Sequence, residues 1–264
     1  MPALALSVLL LLLAACVAPT DAPLAEADAS AAKPDAPASP LVVAELFTSE
    51  GCSSCPPADR LLAALTREAE ASGAPLLTLS YHVDYWDRLG WADPFGSPVH
   101  SARQRAYAPT LDGRVYTPEL VIGGTRALVG SRERAVRAAL ADARADAQPA
   151  RVTLAPRADG AAVAVDYAVT GAPDGARVHL LLVQRSGRSD VRRGENRGRR
   201  LDHVNVVRDV QTREAGTGTG ALTLPDGLGP ADVFVAALVQ PGRVGPVLGA
   251  ARAEISAAPT AAGS

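Results

Sequence analysis

The chain has 264 residues, enough for one large domain or two small ones, each with a core of its own. Apolar residues make up 48% of it but aromatics only 4%, so Ala and Val must carry the interior. A net charge of −2 argues against a general affinity for nucleic acid or an anionic membrane, and the single lysine, Lys33, among 26 basic residues reflects composition rather than function. Residues 1–15, MPALALSVLLLLLAA, are an apolar run too short for a stable membrane span; the pattern predicts a secretory signal.

That run ends in Leu13-Ala14-Ala15-Cys16, which resembles the bacterial lipobox. The resemblance implies a lipoprotein signal peptide over 1–15 and a lipid anchor on Cys16. With Val17 rather than Asp next, it further implies an exported, periplasm-facing lipoprotein of the outer membrane. It departs from the usual signal in having no Lys or Arg before the apolar core. The rival is an ordinary signal peptide in which Cys16 is incidental. Lipidation would leave Cys52 and Cys55 as the remaining cysteines, with no odd thiol to mispair in an oxidising compartment. Residues 16–40 read as the lipidated cysteine followed by an Ala/Pro-rich tether.

From 41 to 148 the pattern predicts strand, helix, strand, helix, strand, strand, helix. LVVAELF is a continuous apolar run suited to a strand buried on both faces. After Cys55, the residues Ala58, Leu61, Leu62, Leu65 and Ala69 share one helix face, and Gly73 is a stop signal. APLLTLSYHV is a second buried strand; Ser97 and Pro98 open a helix reaching about Tyr107. PELVIGG and RALVG are two short strands around Gly-Gly. Ser131 is expected to cap a last helix that buries Ala135, Val136, Ala139 and Leu140.

Beyond Pro149 the grammar changes to seven strand-like runs broken by Asp-Gly and Gly-rich turns. In AAVAVDYAV, the residues Ala161, Val163, Val165 and Tyr167 alternate with smaller or polar ones, the period of a half-buried strand. Residues 150–256 are therefore expected to form an all-β, sandwich-like domain, with a disordered tail over 257–264.

Two of the three cysteines lie in SEGCSSCPPAD, where a strand ends and a helix begins. At that position the first sulfur lies near backbone N–H groups at the positive helix end, which favours its thiolate. Cys52 is then the nucleophile and Cys55, one turn further in, the resolving thiol that can close a Cys52–Cys55 disulfide. A metal site and a structural staple remain rivals; so short a loop makes a weak staple.

Around this pair, residues 41–148 resemble a thioredoxin-like α/β domain in βαβαββα order that lacks the usual leading strand and helix. The resemblance implies a cis-proline facing the disulfide, and Thr117-Pro118 before ELVIGG matches it. It implies that Pro118 shapes a groove in which the Thr117 backbone pairs with an incoming peptide. It also invites Glu45 as the buried acid beneath the cysteines, although Glu45 stands seven residues before Cys52 rather than six. Glu50 is closer but is expected to be solvated. More closely, ELFTSEGCSSCPPAD, SYHVDYWDRLGWADPF, RVYTPELVIGG and GENRGRRLDHVNVVR together resemble a family of secreted bacterial thioredoxin-like proteins of unknown function.

The expected function is disulfide exchange with cell-envelope proteins by a thiol–disulfide oxidoreductase. Its partners are periplasmic protein thiols or disulfides and a redox partner protein; the membrane is met through the lipid, and nucleic acid is not a partner. No cofactor is needed, because the disulfide is the redox centre. One alternative is Cu(I) binding by Cys52, Cys55 and His82, since two thiolates and an imidazole suit that ion. Another is a non-catalytic envelope binding module. Trp86, Trp91 and Phe95 read as packing for an inserted loop or as an apolar rim, and Asp84 and Asp87 as surface charge. The seven arginines between 185 and 200 read as a solvated hairpin with Glu195 and Asn196 ordering a turn, as a site for phosphate or a polyanion, or as an excursion that docks on the thioredoxin-like half.

Overall fold

The computed structural model describes residues 40–256. The signal segment, Cys16, nearly all of the tether and the tail lie outside the described residues. Within them, β1 (Val42–Thr48), α1 (Pro56–Ser72), β2 (Leu76–His82), α2 (Pro98–Tyr107), β3 (Glu119–Ile122), β4 (Arg126–Val129) and α3 (Glu133–Ala143) follow one another in the expected order. Seven strands come next: β5 (Arg151–Asp159), β6 (Ala162–Thr170), β7 (Arg177–Asp190), β8 (Arg200–Glu214), β9 (Thr217–Thr223), β10 (Val233–Gln240) and β11 (Gly249–Ala253).

The strands form two sheets. Eight lie in the order β11-β10-β7-β8-β2-β1-β3-β4, and β5-β6-β9 make a smaller second sheet. β1 pairs with β2 in parallel, and β3 and β4 follow β1 antiparallel. The two halves expected as separate domains therefore share one sheet, joined where Ser80 of β2 pairs in parallel with Val206 of β8. Asn205, with φ of 48°, turns its side chain to Thr78 Oγ1 (2.9 Å) beside that seam. The three-stranded sheet packs on part of the larger one, and that larger sheet is the continuation of the α/β sheet, so residues 150–256 are not a separate all-β unit.

Alternation along the strands sets three cores. Val42, Ala44 and Leu46 of β1 pack with Leu61, Leu62 and Leu65 of α1 and Val136 and Leu140 of α3. The opposite parity, Val43 and Phe47, joins Leu79 and Tyr81 of β2, Tyr107 of α2, and Leu181, Val183, Phe234 and Leu238 of the second half. The third core fills the sandwich: Val163, Val165 and Tyr167 of β6 and Leu222 of β9 meet Leu180 and Leu182 of β7 and Val235 and Ala237 of β10. A continuous apolar cluster across the seam makes the halves one folding body, since each buried aliphatic or aromatic side chain contributes about 1.5–3 kcal/mol.

Helix ends follow local chemistry, with one exception. Gly73 closes α1 in the left-handed region (φ 67°), and Ser97 Oγ accepts from Val99 N–H to open α2. Ser131 does not cap α3: no side chain caps that helix, and Arg132 takes the position instead. Ala135 is exposed, because the buried stripe runs Val136, Ala139, Leu140 and Ala143.

Candidate functional site

The parallel strands β1 and β2 end side by side, and the chain leaving β1 turns through 49–55 into α1. Cys52 N–H donates to Ser49 O (3.1 Å), Cys55 N–H to Cys52 O (3.2 Å), and Ala58 N–H to Cys55 O (2.8 Å), so the turn feeds directly into the helix. Cys52 and Cys55 form a disulfide with Cα atoms 5.4 Å apart, and both are fully buried. Pro56 and Pro57 occupy the first two helical positions, where a missing N–H costs nothing. They also remove two of the helix-end N–H groups expected to favour the thiolate.

Other groups surround the outer sulfur. Thr117 Oγ1 donates to Cys52 Sγ at 3.2 Å, and Ser54 Oγ lies 3.4 Å from it. Trp86 Nε1 donates to Thr117 Oγ1 (2.8 Å), which fixes the hydroxyl on the sulfur. The Thr117-Pro118 bond is cis, and Pro118 leads into β3. Thr117 and Pro118 are thus brought to the disulfide. Trp86 also packs on the cysteine loop, since a Cβ at Gly51 would lie 2.9 Å from its own Cβ.

Glu45 is not brought there. Its parity on β1 is that of Val43 and Phe47, so it faces α2 rather than α1. Arg103 grips it through Nε–Oε2 (2.6 Å) and Nη2–Oε1 (3.0 Å), and Tyr107 donates its hydroxyl to Oε1 (2.6 Å). Leu46, six residues before Cys52, takes the α1-facing position. The buried acid on the α1 side is Asp59, one turn after Cys55. Its carboxylate accepts from Thr48 Oγ1 (2.7 Å), and burial raises its pKa, against the pull of His203 and His82. Nothing in the sequence separates Asp59 from an ordinary acid in the first turn of a helix.

Glu50 is also displaced from expectation: it is fully buried, not solvated. Its carboxylate accepts from Trp91 Nε1 (2.8 Å), His203 Nε2 (3.1 Å) and the Ser189 hydroxyl. Its backbone N–H donates to Asp93 Oδ2 (2.8 Å), which also holds His82 Nδ1 (2.8 Å). Burial works against charge on His82, yet Asp93, then Asp59 and Glu50, offset it and raise its pKa. Burial alone would lift Asp93, but His82 and the N–H groups of Glu50 and Phe95 lower it to about 2. The His82 and His203 rings meet edge-to-face at 4.4 Å. Among the described residues no three His, Cys, Asp or Glu side chains are grouped to hold a metal ion, so Cys52, Cys55 and His82, the set of the Cu(I) alternative, are not grouped as a triad.

The second half completes the cysteine loop. Buried Asn196, in the β7–β8 turn, donates through Nδ2 to Glu50 O (2.8 Å) and Cys52 O (2.9 Å). Neighbouring Glu195 Oε2 accepts from Ser53 N–H at 3.0 Å. Phe95 packs against His82 and His203, and against Gly187 of β7, where a Cβ would lie 2.6 Å from its ring. The aromatic stretch is therefore packing, with Trp86 and Trp91 tied by hydrogen bonds to the site.

Two solved structures share this architecture. The crystal structure of an Agrobacterium tumefaciens protein is 30% identical over 82% of this chain and 95% of its own, with a TM-score of 0.60. HBP35 of Porphyromonas gingivalis is 16% identical over 86% of this chain and 79% of its own, with a TM-score of 0.59, a likeness of fold alone. No curated protein matches. Residues 43–240 match the family described as Protein of unknown function (DUF1223), and the chain belongs to that family.

Proposed function

We propose that the protein is a thiol–disulfide oxidoreductase of the cell envelope whose α/β half is thioredoxin-like. The observation that carries the reading is the Cys52–Cys55 disulfide at the entrance to α1, with the Thr117 hydroxyl directed at the Cys52 sulfur. A two-residue spacing contributes little as a staple, whereas a thiolate on Cys52 would gain a hydrogen-bond donor that is already in place.

In the oxidising direction, a client thiolate attacks Cys52 Sγ and the Cys52–Cys55 bond breaks. Cys55 leaves as a thiolate and takes a proton, for which Asp59 is the buried acid on the same side of α1. A second client thiolate then attacks the client sulfur of the mixed disulfide. Cys52 is released as a thiolate, the client holds the new disulfide, and the protein is reduced. The reverse sequence reduces a client disulfide. Because both cysteines are covered, attack requires the Trp86–Thr117 cover to give way. Export and lipidation at Cys16 belong to the same reading: they rest on the apolar run and on the pairing of the two remaining cysteines.

Equilibration of the reduced and oxidised protein against glutathione tests the reading. A reversible potential, between about −120 mV for a strong oxidant and −300 mV for a strong reductant, supports exchange and sets its direction. A pair that never equilibrates, or that takes up Cu(I) stoichiometrically in place of exchanging, would overturn it.

A further inference from the structure

The β7–β8 turn does more than close a hairpin. Val191 N–H donates to Arg199 O (2.9 Å) and Gly198 N–H to Val191 O (2.8 Å), which ties the base of the turn. Asn196 is fully buried under the cysteine loop, and Glu195 is bonded to the N–H beside Cys52. The turn is therefore held in one place, against the redox pair.

Its charge is unbalanced. Between 188 and 202 there are six arginines against three acids. Arg188 pairs with Asp202 and Arg200 with Asp190, while Glu195 is committed to Ser53. Arg192, Arg193, Arg197 and Arg199 are exposed, and among the described residues none has an ion-pair partner. Like charges this close repel one another and do not help the turn fold. On the other flank, Arg60 and Arg200 line a cleft with Pro56, Leu201 and two acids, Asp59 and Asp202, so that cleft is balanced and the excess lies on the turn itself.

From this geometry we propose that the 191–199 turn is a docking surface for acidic client polypeptides, and that it steers their sulfur atoms to Cys52. The proposal rests on the exchange reading and names its substrate class: thiols or disulfides flanked by Asp and Glu. The bonds from Glu195 and Asn196 to the cysteine loop favour a polypeptide, because whatever occupies the arginines is set down beside Cys52. An anionic membrane on the same surface would cover the disulfide and block its partner. Electrostatic steering acts on encounter, and exchange is bimolecular, so the effect belongs in the second-order rate constant and weakens with salt.

The test uses three synthetic peptides with the same disulfide, flanked by Glu, Ser or Lys, and the charge-free probe hydroxyethyl disulfide. At low salt the Glu peptide is expected to react about 10-fold or more faster than the Lys peptide, and the difference should collapse near 0.5 M salt. In the fourfold variant Arg192→Gln, Arg193→Gln, Arg197→Gln, Arg199→Gln, the ratio of Glu to Lys rates should fall to near one. Equal rates for the three peptides, with normal reaction of the charge-free probe, would overturn the docking surface and leave the exchange reading standing. No reaction with the charge-free probe would sink exchange itself. The surface would then be judged by Trp fluorescence on titrating the Glu peptide into Cys52→Ser, Cys55→Ser protein, where absence of saturable binding overturns it. Arginine-dependent binding to vesicles of anionic lipid, with none to the Glu peptide, would also overturn it.

Discussion

Replacing Asn196 by Ala should destabilise the oxidised protein by about 1.5–3.5 kcal/mol. In the wild type, the side-chain amide gives one proton to Glu50 O and one to Cys52 O inside a sealed site. Cys52 O would keep its bond from Cys55 N–H, so its loss is that of one ordinary hydrogen bond, about 1 kcal/mol. Glu50 O would be left buried with no partner, at about 1–3 kcal/mol. Asn196 Oδ1 is itself without a partner, so its removal returns a fraction of that cost. For a body of roughly 200 residues this corresponds to a fall in Tm of about 5–15 °C, read by calorimetry on the oxidised form. Asn196→Asp, the same shape with a carboxylate aimed at two carbonyls, should cost more than Ala. A change within about 0.5 kcal/mol for Ala, or an Asp variant as stable as the Ala one, would refute the clamp.

Three more outcomes follow from the buried charges and the close contacts. Arg103→Met leaves the Glu45 carboxylate buried without its cation and should cost about 3–5 kcal/mol in urea unfolding, while adding Glu45→Leu should recover much of it. Asp93 is held at about 2 when folded against 3.8 in the free side chain, so it adds about 2 kcal/mol that is present above pH 4 and is lost as pH falls through 2. His82, raised above 6.5, adds stability that is complete below that pH and is lost as pH climbs through its folded value. Urea midpoints should therefore fall at both ends of the pH range, and Asp93→Asn should flatten both limbs. Gly187→Ala sets a methyl against the Phe95 ring and should cost about 1–3 kcal/mol, and Phe95→Leu in the same chain should relieve part of it.

Periodicity made the elements legible but not their neighbours. The apolar stripe at Ala58, Leu61, Leu62, Leu65 and Ala69 and the alternation in β6 are local signals; the stripe is buried as read, and so are Val163, Val165 and Tyr167, whereas Ala161 lies exposed in the turn before β6. The pairing of β2 with β8 leaves no such trace, because a strand buried on both sides looks the same whichever strand flanks it. That is why the chain reads as two domains when Leu79 and Leu181 share one core. Glu45 shows the limit of spacing: a shift of one residue on a strand exchanges faces, and Leu46 rather than Glu45 lies against α1. Among the arginines between 185 and 200, Glu195 and Asn196 read only as residues that order a turn, since nothing in a polar, Gly-rich run distinguishes the one polar side chain that is buried. The Glu50–His203 contact was hidden because its two polar partners stand 153 positions apart.

The seam between β2 and β8 also determines what can be taken from this protein. A fragment ending near residue 148 would keep both cysteines, α1 and Pro118, and by outline it would look self-sufficient. It would, however, leave β2 as a bare edge, with open N–H and C=O groups and the Leu79–Tyr81 face stripped of Leu181, Val183 and Phe234. An uncovered apolar edge of that kind recruits other strands, so the excised half is a seed for aggregation rather than a minimal domain. The β-rich half therefore cannot be shed or exchanged freely, because part of the cysteine-bearing half's interior is written there.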